Sequence, residues 1–236
     1  MFLWKGPADT DTEPAEGKVV IKSFVLRVPL VEYQQTSKIQ LIHELKNLSD
    51  KGKLMYSFCQ WQCIDKKGVF GSTFSFDITN VYRNVNHPTA IIIGLQTNRS
   101  NTQKRDPSNF DNCNIKNACV KVNGDRYPHE MQNVDVANGK YRVLYDYFKE
   151  FRTAFSANEN ALVDSQDFIN SYPLFVINTE YHQFNTDQSR SDIQVELDFN
   201  SAVASPRGDS GTTAYVVVVS EMNFSYDITR NNIRFV

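Results

Sequence analysis

The hydrophobic positions along the chain mostly repeat with the period of two that is typical of β-strands. From residue 193 to 199, apolar side chains alternate with polar ones, as expected when one strand face meets a core and the other meets water. Residues 91–93 and 216–219 are instead continuous β-branched runs, which favour strands that are covered on both faces. The pattern therefore predicts one half-buried strand and two buried ones.

Several shorter stretches carry the same strand signals and are separated by Gly, Asn and Pro. Residues 120–122 lead into Asn123-Gly124, a dipeptide that favours a tight hairpin because both of its residues adopt positive φ easily. Many short strands with such punctuation are typical of a sandwich or a barrel. These shorter strands are predicted at residues 25–31, 74–78, 120–122, 175–177 and 224–228.

An amphipathic helix is predicted between residues 141 and 155. Its apolar residues recur at helical spacing, while charged residues occupy the other faces. We expect this helix to pack as a lid over one end of the sandwich, because an aromatic stripe is more often a packing face than a cofactor site. A weaker helical stretch covers residues 39–48 after a Ser37 cap. The stripe of the stronger helix consists of Tyr141, Leu144, Tyr145, Phe148, Phe151 and Phe155.

Composition and charge narrow the classes of function. The chain has 236 residues, of which 41% are hydrophobic and 22% charged, as in a folded protein with one domain or two small ones. A net charge of −2 gives no global positive field, so we expect no specific nucleic-acid binding. No apolar run approaches the roughly 18 residues of a membrane span. The N-terminus lacks the basic and apolar regions of a signal peptide, so we expect a protein that is not classically secreted.

The cysteine pattern predicts no cofactor or metal site. Cys59, Cys63, Cys113 and Cys119 are too few for a disulfide scaffold, and their spacings match no standard zinc pattern. We expect all four to be buried free thiols of an intracellular protein.

One short motif raises an enzymatic alternative. Gly208-Asp209-Ser210-Gly211 resembles the turn that carries the nucleophile of trypsin-like serine proteases. Such a serine needs a histidine, itself oriented by an aspartate, to remove its proton. His43 lies in the weaker helical stretch and His87 precedes a proline, so neither has the setting found in that family. A serine protease with Ser210 is thus a remote alternative, and we expect no catalytic residues.

The same loop raises a binding alternative. Arg207, Gly208 and Asp209 form the tripeptide that integrins read when it is displayed at an exposed loop tip, and Pro206 and Gly211 favour exposure. Chance occurrence is the simpler explanation, because three residues carry little information. The corresponding alternative function is a jelly-roll module that binds a receptor or a glycan through such loops.

From about residue 89 onward, short motifs follow one another in an order that points to a known family. They are residues 94–99, Phe110-Asp111, Cys113-Asn114, Tyr127-Pro128, 144–147, 173–177, 192–199, 213–215 and 220–226. In this order they resemble the C-terminal half of the double jelly-roll major capsid proteins of Polinton-type (Maverick or adintovirus-like) DNA viruses. Each motif alone is weak, but their collinearity is specific.

The resemblance implies a structural role without an active site. Proteins of this family form trimers that tile an icosahedral shell, so the expected partners are further copies of the chain and other capsid proteins, and the expected location is the virion or its intracellular assembly site. Two features depart from the family. The first jelly roll is absent from this sequence, and the loop at residues 204–211 is longer than the usual turn.

Together these observations predict an all-β fold, a jelly-roll β-sandwich with one amphipathic helix inserted between strands. Residues 1–22 are expected to form a flexible N-terminal arm, residues 23–60 a leading segment with a strand and a short helix, and residues 61–236 the jelly-roll domain. Phe2 and Trp4 are the candidate assembly contacts on the arm, because aromatic anchors dominate the energetics of many interfaces.

Overall fold

The computed structural model of the protein describes residues 22–30, 32, 34–48, 53–78, 88–99, 106–155, 163–180, 191–206, 211–227 and 232–235. Three helices and nine strands lie in these ranges. They are, in chain order, α1 (Gln35–Leu48), β1 (Lys53–Val69), β2 (Gly71–Asp77), β3 (Pro88–Thr97), β4 (Ile115–Val122), β5 (Asp125–Tyr127), α2 (Arg142–Phe155), α3 (Ser165–Ser171), β6 (Phe175–Asn178), β7 (Ile193–Val203), β8 (Thr212–Asp227) and β9 (Asn232–Phe235).

The strands form two antiparallel sheets with jelly-roll topology. The first sheet has the order β1-β8-β3-β6, with β9 also paired to β8, and the second has the order β2-β7-β4-β5. Apart from the β4-β5 hairpin, each strand from β1 to β7 is followed by a strand of the opposite sheet, which is how a jelly roll is wound. The predicted fold class, an all-β jelly-roll sandwich, is confirmed.

The core between the sheets is made by the alternating residues that the sequence predicts. In β7, Ile193, Val195 and Leu197 are buried, while the polar residues between them are only partly buried. The turn from β4 to β5 has positive φ at both Asn123 and Gly124, at 51° and 95°. This turn confirms the predicted hairpin, since a tight hairpin turn of this kind requires positive φ at both central residues.

A second apolar layer covers the outer face of the first sheet. Phe148 and Phe151 of α2 pack there against residues of the central strands, so β3 is buried on both faces. The continuous run at residues 91–93 needs such double coverage, because a strand with one wet face would carry polar residues at every second position. The sheet residues of this layer are Ala90, Ile92, Val176 and Val219.

The insertion between β5 and β6 contains α3 in addition to the predicted α2. Asp164 caps α3, and its carboxylate accepts hydrogen bonds from the backbone amides of Gln166 and Asp167, both at 2.8 Å. Phe168 of α3 is fully buried beneath α2, with its ring centroid 4.9 Å from that of Phe148. The inserted helices are thereby fixed to the sandwich.

The leading segment differs from its prediction in two respects. Residues 25–31 were expected to form a strand, but the described residues 22–30 are exposed and belong to no sheet. The reason is that a strand requires a partner backbone, and no strand in the described part of the chain lies beside them. The second difference is β1, a 17-residue strand that contains the expected boundary between residues 60 and 61.

Gly94, at the centre of β3, is required by its close neighbours. A Cβ atom there would lie 2.6 Å from the ring of Phe110 and 2.9 Å from Leu174. We predict that Gly94→Ala lowers the free energy of unfolding by about 1–3 kcal/mol, the usual cost of overfilling a packed core. Urea denaturation measures this loss, and an unchanged midpoint would contradict it. In a Phe110→Ala background the same change should cost less, because the closest clash is gone.

Candidate assembly surface

The first sheet extends beyond the sandwich as a ribbon of β1 and β8. The pairing of β3 with β8 ends at Ser220, whereas β1 remains paired with β8 as far as Lys53 and Asp227. Residues 53–59 and 221–227 therefore continue past β3, with β9 paired to the end of β8. We call these two stretches the ribbon.

One face of the ribbon carries an aromatic cluster. The ring of Tyr56 stacks on Phe224, with centroids 5.1 Å apart and planes inclined by 16°. Phe58 meets the same ring edge-on at 5.9 Å. Tyr56 is nevertheless 48% exposed and Phe58 42% exposed, so the cluster is formed but open to solvent. Contiguous exposed apolar side chains of this kind usually mark an interaction site.

The opposite face of the ribbon leads to α2. The hydroxyl of Ser57 donates a 2.5 Å hydrogen bond to the exposed carboxylate of Glu221. Further along β1, Trp61 lies on the same face of the sheet and is half exposed. Its ring meets those of Phe151 and Phe155 edge-on, with centroids 5.8 and 5.5 Å away. Trp61 and α2 thus form a second aromatic patch, on the face of the sheet opposite the aromatic cluster of the ribbon.

A cleft of about 530 Å³ lies beside this contact, between α2 and the β3-β6 side of the first sheet. Its walls are mainly apolar, and Glu150 and Glu180 add two carboxylates. Its apolar lining includes Ala90, Phe151, Phe155, Val176 and Ile177.

The second sheet carries charged residues on its outer face. Lys121 donates a 2.5 Å hydrogen bond to Glu196 and holds the pKa of that carboxyl below its usual range. The thiol of Cys119 donates to the other oxygen of Glu196 at 3.5 Å. The two outer faces of the sandwich therefore differ, one being apolar and aromatic and the other polar and charged.

The cysteines lie in two environments, which corrects the expectation that all four are buried. Cys119 is buried and Cys113 half-buried, but Cys59 and Cys63 are exposed on β1. They are exposed because β1 is the edge strand of a sheet whose outer face is only partly covered by α2. Burial raises the pKa of the Cys113 and Cys119 thiols, and partial desolvation together with the nearby Asp65 carboxylate raises that of the exposed Cys63, which lowers the reactivity of all three near neutral pH. Among the described residues no cluster of metal-ligating side chains occurs.

The residues that the sequence singled out are not among those that the structure describes. Phe2, Trp4 and the loop residues Arg207, Gly208 and Asp209 fall outside the described residues, as does Ser210. Residues 204–206 of the long loop are described and exposed.

The protease alternative gains no geometric support from the described part of the chain. His43 lies on the exposed α1, where the side-chain amide of Asn47 is 3.2 Å from its Nδ1. His87 is outside the described residues.

Sequence reasoning did not identify the aromatic surface of β1. The available signal was the spacing of Leu54, Tyr56 and Phe58 at every second position, which is the same alternation that predicted β7. Two glutamines, Gln60 and Gln62, continue this face where an apolar pattern would carry hydrophobic residues.

Among the helices that the structure describes, none has the length and apolarity of a transmembrane segment.

Comparison with known proteins gives a family match and matches to two solved structures. The family model described as the double jelly roll-like domain matches residues 7–222. The chain is 10% identical to a chain of the Sputnik virophage, solved by cryo-EM, with a TM-score of 0.44 over 78% of this chain and 39% of the other. It is 11% identical to the mavirus major capsid protein in its crystal structure, with a TM-score of 0.39 over 81% and 43%.

The chain spans about two fifths of the length of these two solved chains. No curated protein matches it. The family model covers most of the sequence, and the strands within it wind as a jelly roll. The chain therefore belongs to the double jelly roll-like domain family.

Proposed function

We propose that this protein is a structural component of a viral shell and self-associates through its jelly roll into trimeric capsomers. Family membership supports a structural role, and the collinear motifs from residue 89 onward support the C-terminal module of a Polinton-type major capsid protein. The observation that carries the proposal is the exposed aromatic cluster of the ribbon, formed by Tyr56, Phe58 and Phe224. Trp61 and α2 add a second exposed aromatic patch on the opposite face of the sheet.

The composition of this surface suits a protein–protein contact. Interface cores are enriched in aromatic residues and depleted of charged ones. Tyr56 and Phe58 are exposed on one face of the ribbon, and Trp61 is exposed on the opposite face of the same strand. The charged residues of the ribbon are Lys53, Glu221 and Asp227. A stable interface buries about 800 Å² per partner, so the surrounding backbone and side chains must also take part. The charged outer face of the second sheet suits solvent or an interface rim.

We infer that three segments of the chain have different roles. Residues 61–236 form the jelly-roll packing module, and residues 23–60 form the segment that leads into it. Residues 1–22 form an N-terminal arm on which Phe2 and Trp4 anchor the chain to its neighbours. The role needs no active site and no cofactor. Its partners are further copies of the chain and other capsid proteins, and its location is the virion.

Electron microscopy of the purified chain tests the proposal. We expect particles with threefold symmetry, or larger shells, when the chain is concentrated alone or with the product of an adjacent reading frame. Single particles of monomer size under both conditions would contradict it.

A further inference from the structure

Residues 22–30 have the pattern of a strand but lie in no sheet. Phe24, Leu26 and Leu30, at alternate positions, are 90%, 79% and 89% exposed. Val28 completes this apolar row. An exposed segment of this kind carries apolar side chains and belongs to no described sheet, and each property favours association.

The edge of β1 is the complementary feature. One backbone side of this 17-residue strand pairs with β8, and its other side pairs with no strand in the described ranges. Next to this edge lie the exposed side chains of Tyr56 and Phe58. A long edge strand with exposed apolar residues is a ready template for an added strand.

The two faces of residues 22–30 match the two faces of the ribbon. If the row containing Phe24 and Leu26 lies on the aromatic face, alternation places Val25 and Arg27 on the opposite face. That face of the ribbon carries Ser57, Cys59 and the exposed carboxylate of Glu221. Glu221 lies on β8, so Arg27 on the added strand would face it across β1, on the same side of the sheet, and the opposite charges favour this arrangement.

Pro29 supports an outermost position for the added strand. It has no amide hydrogen to donate to a further strand, and proline within sheets is largely confined to edge strands. The segment would therefore end the sheet rather than extend it.

We propose that residues 22–30 of one copy add as an outermost strand to the β1 edge of a second copy. We assign the partner to a second copy because, within the described chain, the segment and the edge are both exposed and not paired with each other, although only α1 and its short flanks separate them in sequence. The inference rests on the proposed function and names the partner of its aromatic surface. Each copy has one donor segment and one acceptor edge, so in a closed ring every donor segment pairs with the acceptor edge of the next copy.

Disulfide trapping with the native Cys59 tests this pairing. Donor copies carry Arg27→Cys or Val25→Cys together with Cys59→Ser, and acceptor copies of a different tag length keep Cys59. Directly opposite residues of antiparallel strands have Cα atoms about 4.5–5.5 Å apart, within the range that a disulfide spans. We expect a covalent donor–acceptor dimer under mild oxidation, with the bond from position 25 or 27 to Cys59 identified by mass spectrometry.

Leu26→Cys in the same donor is the matched control. Its side chain lies on the other face, so its yield of the dimer linked to Cys59 should be at least about tenfold lower. Equal yields from positions 25, 26 and 27 would overturn the strand pairing. A link within one chain, seen when Arg27→Cys is combined with the native Cys59, and absent between copies, would overturn the assignment of the partner to a second copy.

The same samples separate this inference from the proposed function. Oligomers without the donor–acceptor link would overturn the added strand and leave the capsid role intact. Monomers throughout would overturn both.

Discussion

Replacing Phe168 with alanine should lower the free energy of unfolding by about 3–5 kcal/mol, the usual cost of removing a buried phenylalanine. The side chain is fully buried, and its ring lies 5.6 Å from that of Tyr145 and 4.9 Å from that of Phe148. Its loss removes apolar burial and leaves a cavity beneath α2, which these rings cannot fill without moving the helix.

Urea denaturation of the parent and the variant measures this effect. Phe70→Ala is the matched control, because Phe70 is half exposed and should cost less than about 1 kcal/mol. A free energy of unfolding for Phe168→Ala within about 1 kcal/mol of the parent value would show that α3 does not hold α2 against the core.

A second large effect is expected on association rather than on folding. Phe58→Asp should weaken self-association by at least about tenfold, since a carboxylate buried in an apolar contact loses its hydration without a partner. Phe58 is exposed in the single chain, so the folded domain should tolerate the change.

Sedimentation velocity over a concentration series measures the change in association. Phe70→Asp is the control, because it introduces the same charge at another exposed phenylalanine, located between β1 and β2. If both variants associate as the parent does, the aromatic face of the ribbon is not a contact. If both variants lose self-association to the same extent, the loss comes from the added negative charge and not from its position on the ribbon.

The parts of the fold that the sequence predicted are those in which local pattern and final environment agree. The predicted alternation of β7 is seen in the structure because one face of this strand packs in the core and the other is partly exposed to solvent. The Asn123-Gly124 turn is fixed by backbone conformation alone. Residues 91–93 lie under both the second sheet and α2, as a continuous β-branched run predicts.

The parts that escaped prediction depend on partners far along the chain. In β1 the glutamines at positions 60 and 62 and the lysines at 66 and 67 interrupt the apolar pattern, and the strand is held by its long pairing with β8. The seven residues of α3 are too few to display a helical period, and the Asp164 cap defines that helix instead.

The sequence did not predict the candidate surface for a different reason. The alternation of the β1 aromatic residues is that of a strand with one buried face, but they are exposed because the ribbon continues past the point where β3 ends. This end point is a property of the assembled sheet, which no local window of sequence contains. The assembly contacts predicted at Phe2 and Trp4 remain predictions, since both lie outside the described residues.

The central claim is that the chain associates with itself through the jelly roll, and its mass in solution tests this most directly. Light scattering coupled to size-exclusion chromatography, over a range of protein concentrations, should give three times the mass of the chain at the highest concentrations and a return to one chain on dilution. A mass of one chain at every concentration would contradict the account.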